Sequence, residues 1–231
     1  MIVADAKPFE QVKGFVQDYE KILVVGCGTC VTVCLSGGEA QVQTLAAGLR
    51  IAFQREGKPK TILEDNVQRQ CDEEFVLPIL ERVKEEKVEA VITLACGVGV
   101  NFLADRTGNI PVFPGVNTTF YGAAVEPGVW AEMCAGCGDC ITHLTGGICP
   151  IARCSKRLLN GPCGGSGKGK CEVDPINIDC VWQLIYDRLK ALGRVEQISD
   201  IIPMKNWQTA AHGGVRRSVR EMLIKLEYKN K

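Results

Sequence analysis

The chain has 231 residues, 46% of them hydrophobic and 23% charged, enough for one large domain or two small ones with a buried core. Lys plus Arg and Asp plus Glu each number 27, so the formal net charge is zero. That balance argues against nucleic acid or a membrane surface as a partner, since both call for a basic excess. No N-terminal stretch joins basic residues, an apolar run and a small-residue cleavage site, so secretion is not expected and the cytoplasm is. The longest apolar stretch, Ala90 to Ala104, is interrupted by Thr93, Gly97, Gly99 and Asn101. It is too short and broken to span a bilayer.

In chain order, Lys7 to Tyr19 places Phe9, Val12, Phe15, Val16 and Tyr19 at helical spacing. Lys21-Ile-Leu-Val-Val-Gly26 follows, a β-branched run ending in glycine as a buried parallel strand does. After a loop rich in glycine and cysteine, Glu39 to Arg55 is helical. Thr61-Ile-Leu63 is a second strand and Glu73 to Glu86 a second long helix. Glu89 to Ala95 is a third strand and Ile110 to Phe113 a fourth. Strands alternating with helices predict an α/β fold with an open, mostly parallel sheet of Rossmann or flavodoxin type. In such sheets ligands bind beyond the carboxyl ends of the strands. Cys27 and Cys96 end two of the strands, and Cys71 precedes a helix.

The character changes near Trp130, which suggests an α/β domain over 1–129 and a Cys-rich metal-bound segment with C-terminal helices over 130–231. Between Cys134 and Cys180 glycine and cysteine abound and periodicity is lost, so metal coordination is expected to supply folding free energy there. Val181 to Leu192 is again helical. Val215 to Leu226 reads as a basic amphipathic helix, with Val215, Val219, Leu223 and Leu226 on one side, and as a docking element.

Cysteine is the unusual component. Thirteen is an odd number and only two histidines accompany them, His143 and His212. A disulfide framework is a poor explanation without an export signal. Sites built almost wholly of thiolate select zinc, iron–sulfur clusters or copper(I). Cys134-x2-Cys137-x2-Cys140 followed by Cys149-Pro150 is ferredoxin-like, three thiolates at intervals of three suiting a cubane. A zinc knot also uses C-x2-C pairs, though more often two separated ones.

Cys27-x2-Cys30-x3-Cys34 is the second motif. Cys96 or Cys71 would complete its ligand set, giving four of five cysteines for a first cluster; a thioredoxin-like Cys27–Cys30 disulfide is the alternative. Cys154, Cys163 and Cys171 could join the second cluster or build a third site with iron or zinc. Cys180 and Cys71 read as the cysteines best suited to be inert core residues, and His143 is either a ligand or a surface residue. No catalytic constellation of serine, histidine and carboxylate stands out. The Pro162–Lys168 stretch and the glycine pairs after Val25 and Cys96 each lack a residue of the phosphate-binding fingerprints, so neither flavin nor nucleotide is expected in this chain.

Gly26-Cys-Gly-Thr-Cys-Val-Thr-Val-Cys34, Cys134-Ala-Gly-Cys-Gly-Asp-Cys140, Gly147-Ile-Cys-Pro-Ile-Ala-Arg-Cys-Ser-Lys156 and Leu159-Asn-Gly-Pro-Cys-Gly-Gly165 resemble the MetV family. This is the small subunit of MetVF-type methylenetetrahydrofolate reductases of acetogenic bacteria, also known as the C-terminal domain of some such reductases. The likeness runs from about Glu20 to Trp207.

The resemblance implies an accessory subunit of an oxidoreductase complex in the methyl branch of the Wood–Ljungdahl pathway. Its catalytic partner would be the flavin-bearing barrel subunit, MetF. Electrons would arrive from ferredoxin or a heterodisulfide-reductase-like assembly. The expected cofactors are two [4Fe–4S] clusters, with cysteines enough for a third site. Zinc at one four-cysteine site is compatible with a family also described as zinc-binding. The alternative is a redox-silent zinc scaffold of the same reductase.

Overall fold

A computed structural model describes residues 1–210 and 216–222. The chain divides into two compact units, Met1–Glu132 and Met133–Lys231.

In the first unit, β1 (Ile2–Ala6) and α1 (Phe9–Phe15) precede β2 (Lys21–Cys27). A one-turn helix, α2 (Cys30–Val33), and a long one, α3 (Glu39–Arg55), lead to β3 (Thr61–Val67). Then come α4 (Glu73–Glu85), β4 (Ala90–Thr93), α5 (Gly97–Ala104) and β5 (Val112–Pro114). These four strands form one parallel sheet in the order β3-β2-β4-β5, the flavodoxin-like arrangement of a doubly wound sheet.

Both faces of the central strands are covered, which is why β2 reads as a continuous apolar run. Ile22 and Val24 of β2, with Ala90 and Ile92 of β4, pack beneath Val42, Ala46, Leu49 and Phe53 of α3. The alternate residues Leu23, Val25 and Val91 pack beneath Val76, Ile79 and Val83 of α4 and Leu103 of α5. The α/β expectation holds. The apolar stretch after Ala95 turns out to contain α5, and Gly99 has a packing role: a Cβ there would run into Ala95 and Gln70.

A second sheet did not announce itself in the sequence. Strands β6 (Val116–Glu126) and β7 (Val129–Cys134) join β1 in an antiparallel sheet ordered β1-β6-β7. β6 is exposed at most positions and has few large apolar residues, so it lacks the alternation that marks a half-buried strand.

The second unit has little regular structure. A 3-10 turn (Thr142–Leu144) and the short α6 (Pro150–Arg153) precede the one substantial helix among its described residues, α7 (Val181–Ala191). Its core is small: Cys180, Val181, Trp182, Ile185 and Leu189, with Ile148, Cys154, Ile198 and Ile202 against them. The helix read over Val215–Leu226 is corrected where it is described. Residues 216–220 are exposed and non-helical, and only Glu221 and Met222 are helical. Arg216 and Arg220 stand at i,i+4, where like charges weaken a helix. The remainder of that segment, with His212, lies outside the described residues. No helix among the described residues is long and apolar enough to cross a membrane.

Candidate functional site

The doubly wound order puts its switch point between β2 and β4, where α3 covers one face and α4 the other. Cys27 is the last residue of β2, and Cys96 caps the N-terminus of α5 just beyond β4. Cys71 arrives from the neighbouring β3–α4 connection. What brings that connection inward is Gln70, which is completely buried. Its amide nitrogen donates to the carbonyls of Val25 (3.2 Å) and Gly26 (2.9 Å), and its amide oxygen accepts from Thr93 Oγ1 at 2.6 Å. Thr93 Oγ1 in turn accepts from the Ala95 N–H at 3.1 Å. One side chain thus ties together the carboxyl ends of both central strands and the residue next to Cys71.

The three thiols are close enough to feel one another's charge. Burial, followed by the Cys27 and Cys96 thiolates, pushes the Cys71 thiol above its ordinary pKa. Cys27 lies at 3.9 Å from the Gln68 carbonyl and 3.7 Å from Thr29 Oγ1. Cys30 is half-buried at the start of α2.

Cys34 behaves differently. It is buried among Val3, Ala4 and Val31, with its sulfur 3.2 Å from Ser36 Oγ and 3.7 Å from the Ala4 carbonyl. It faces the core, whereas Cys27, Cys71 and Cys96 gather at the edge. The turn that returns the chain after Cys34 is tight: Gly37 accepts from Cys27 N–H through its carbonyl, and a Cβ on it would overlap the Leu94 carbonyl.

In the second unit, Cys134 ends β7, and the loop to Cys140 turns through Gly136 and Gly138, both at positive φ. The Gly136 N–H points to Cys134 Sγ at 3.4 Å. A second segment clamps this loop. Thr209 Oγ1 donates to the Cys137 carbonyl (2.8 Å), while Lys205 Nζ donates to the Asp139 carbonyl (2.7 Å) and pairs with its carboxylate at 3.2 Å. The Lys205 side chain is only 1% exposed. The Thr142 hydroxyl, 3.3 Å from Cys140 Sγ, holds that exposed thiol below its ordinary pKa. Cys149 caps α6, whose first residue is Pro150. His143 is exposed on the 3-10 turn.

The remaining four cysteines, Cys154, Cys163, Cys171 and Cys180, all line one cavity of about 20 Å³.

The comparisons bear on this second unit and the strands leading to it. Residues 113–208 match the family model described as the methylene-tetrahydrofolate reductase C terminal. That match spans less than half of the chain and relates it to the methylenetetrahydrofolate reductase system. No curated protein and no solved structure matches the chain.

The reductase-like segment holds the Cys134–Cys140 loop, Cys149, the four-cysteine cavity and Lys205; the Cys27–Cys71–Cys96 edge precedes it. All thirteen cysteines are free thiols, soft donors of the type that iron–sulfur clusters and zinc take. Among the described residues no three His, Cys, Asp or Glu side chains stand at ligand spacing. The donor chemistry therefore fits thiolate-bound metal, while the ligand sets are not closed in this arrangement. Gln70, Thr93, Lys205 and Thr209 escaped the sequence reading. Only a pairing of Gln70 with Thr93 across two loops would have revealed the first two, and no local spacing encodes that.

Proposed function

We propose that this chain is an iron–sulfur electron-transfer subunit serving a methylenetetrahydrofolate reductase. The observation that supports it best is the convergence of Cys27, Cys71 and Cys96, from three separate connections, at the switch point of a doubly wound sheet. Cys30 supplies the fourth thiolate of that set, and Cys34 stays in the core. Cys134, Cys137, Cys140 and Cys149 form the second set. Clusters held this way accept and release single electrons at potentials set by charge and hydrogen bonding around the sulfurs.

The protein's own groups then have defined tasks. Gln70 and Thr93 hold the Cys71 connection against the strand ends. Lys205 places a buried ammonium beside the Cys137–Cys140 loop, where it favours added negative charge. The exposed apolar residues Val33, Leu35 and Val98 flank Cys34 and Cys96 and offer a partner a desolvated approach. That partner is the flavin-bearing catalytic subunit, which carries the folate chemistry. The donor is a low-potential carrier, ferredoxin or a heterodisulfide-reductase-like module.

Iron, zinc and acid-labile sulfide on anaerobically purified protein test the reading. Two clusters predict about eight irons with equal sulfide, a visible absorption bleached by dithionite, and reduction of the partner's flavin by the reduced chain. Zinc alone, without bleaching, would leave this chain a redox-silent scaffold of the reductase.

A further inference from the structure

We infer that the cavity between α1, α3 and the carboxyl ends of β4 and β5 binds a small organic anion, a monocarboxylate with an apolar body. This site goes beyond the electron-transfer reading, and no cysteine of either proposed cluster set lines it.

The fold puts the cavity where doubly wound sheets take their ligands, beyond the carboxyl ends of parallel strands. Leu94 follows β4, Gly115 follows β5 and Ser36 lies in the connection from β2 to α3, and all three line it. Two backbone bonds fix the approach of the β1–α1 connection. Lys7 N–H donates to the Gly115 carbonyl at 2.9 Å, and Gly115 N–H donates to the Thr93 carbonyl at 2.8 Å. Lys7 is thereby tied to the ends of both strands.

Most of the wall is apolar. Val12 and Leu94 are buried and Leu45 is half-buried, while Phe9, which also lines the cavity, is 37% exposed. A phenyl ring left that open gains by being covered. The ring lies against α3 at Gly48, where a Cβ would come to 3.0 Å from it. Glycine is a poor residue inside a helix, and here it makes room for this wall.

The polar groups select the charge of the occupant. Lys7 is the single charged side chain among the lining residues. Its ammonium is held by a neutral group, Asn117 Oδ1 at 2.5 Å, and forms no ion pair among the described residues. The charge is therefore oriented but not cancelled. Gln41 Oε1 accepts from the Gly38 N–H at 3.1 Å, which leaves its NH2 as the end that can donate. Gln41 stands in the first turn of α3, whose dipole also favours an anion. Glu39 of the same turn lines a different hollow. The cavity measures about 310 Å³, at the lower end of small-molecule pockets, roughly 300–1,000 Å³. One positive charge beside apolar walls matches one carboxylate on an aromatic or branched body. A di- or triphosphate would bring more charge than one lysine balances.

Isothermal titration calorimetry of the full chain tests the site, with naphthoate as an aromatic carboxylate and naphthamide as its uncharged counterpart. Naphthoate should bind once per chain and about tenfold tighter than naphthamide, the worth of one charge-assisted contact. Lys7→Met should bring the two compounds to within about twofold, and Lys7→Arg, which keeps the charge, should preserve most of the preference. Thr44 lines the cavity from an exposed position on α3, so Thr44→Trp should fold while its indole fills the space and abolishes binding of both compounds. No binding of naphthoate to the wild type, equal binding of acid and amide, a preference that survives Lys7→Met, or undiminished binding to Thr44→Trp would overturn the assignment.

Discussion

Thr93, at the end of one central strand, donates its hydroxyl proton to the amide oxygen of Gln70, the residue before Cys71, at 2.6 Å. Both are completely buried, so the bond is made out of water and its loss leaves polar groups stranded. Gln70→Ala should destabilise the chain by about 1–3 kcal/mol, the cost of orphaned buried groups. Thr93→Val should cost a similar amount. Because the two share one bond, the double variant should cost less than the sum, and a urea double-mutant cycle measures the difference. Strict additivity would show that the pair does not act as a unit.

Cys71 and Cys140 are both exposed yet titrate in opposite directions. A depressed pKa means more thiolate at a given pH, and thiolate is the form that alkylates. In reduced, metal-free protein Cys140 should therefore react with iodoacetamide faster than Cys71 near neutrality. The ratio should shrink as pH rises past the Cys71 pKa and both become thiolates. Peptide mapping of labelled protein across pH follows each residue. Thr142→Val should slow Cys140, since burial acts only weakly on this exposed thiol and the hydroxyl is the main cause of its shift.

The Lys205 ammonium bonds the backbone of Asp139 as well as its carboxylate. The carboxylate side chain is 57% exposed, so the ion pair itself is screened and worth under about 1 kcal/mol. Asp139→Asn should therefore be mild. Lys205→Met removes a buried, charge-assisted bond to a carbonyl and should cost about 1.5–3 kcal/mol, read as a lower urea midpoint. Equal effects of the two variants would mean that the carboxylate, not the carbonyl, holds the lysine.

Gly37→Ala introduces a methyl against the Leu94 carbonyl, a backbone atom that cannot swing aside. A loss of about 1–3 kcal/mol is expected from overpacking, together with displacement of the loop that carries Cys30 and Cys34. Gly14→Ala, where a Cβ meets nothing, should be neutral or stabilising by comparison. Thermal unfolding of the two proteins makes the contrast.

The parallel sheet was readable because burial on both faces writes itself as unbroken apolar runs, Lys21–Gly26 above all. The antiparallel sheet was not, since β6 exposes most of its residues. Cysteine spacing identified the thiol-rich loops but not how the thiols are shared out. Cys34 follows Cys30 in a motif-like interval, yet Ser36 and Ala4 draw its sulfur into the core. Cys180 reads as a core residue and is one, and the ladder from Gly167 to Cys180 also carries it to the wall of the four-cysteine cavity. Local spacing reports on ligands that neighbour one another along the chain; tertiary pairing decides the others.

The two groups of thiols therefore belong to different moments in the life of the chain. Cys27 and Cys96 become neighbours only when β2 and β4 lie side by side, a long-range pairing that must first overcome its loop-closure entropy. An unfinished chain presents no such pair, so the edge exists only once the sheet has formed. The short ladder joining Cys171 to Cys180 needs no distant partner and can close while the chain is still emerging. The carboxyl-terminal ladder is therefore an early feature of the chain and the thiol-bearing sheet edge a late one.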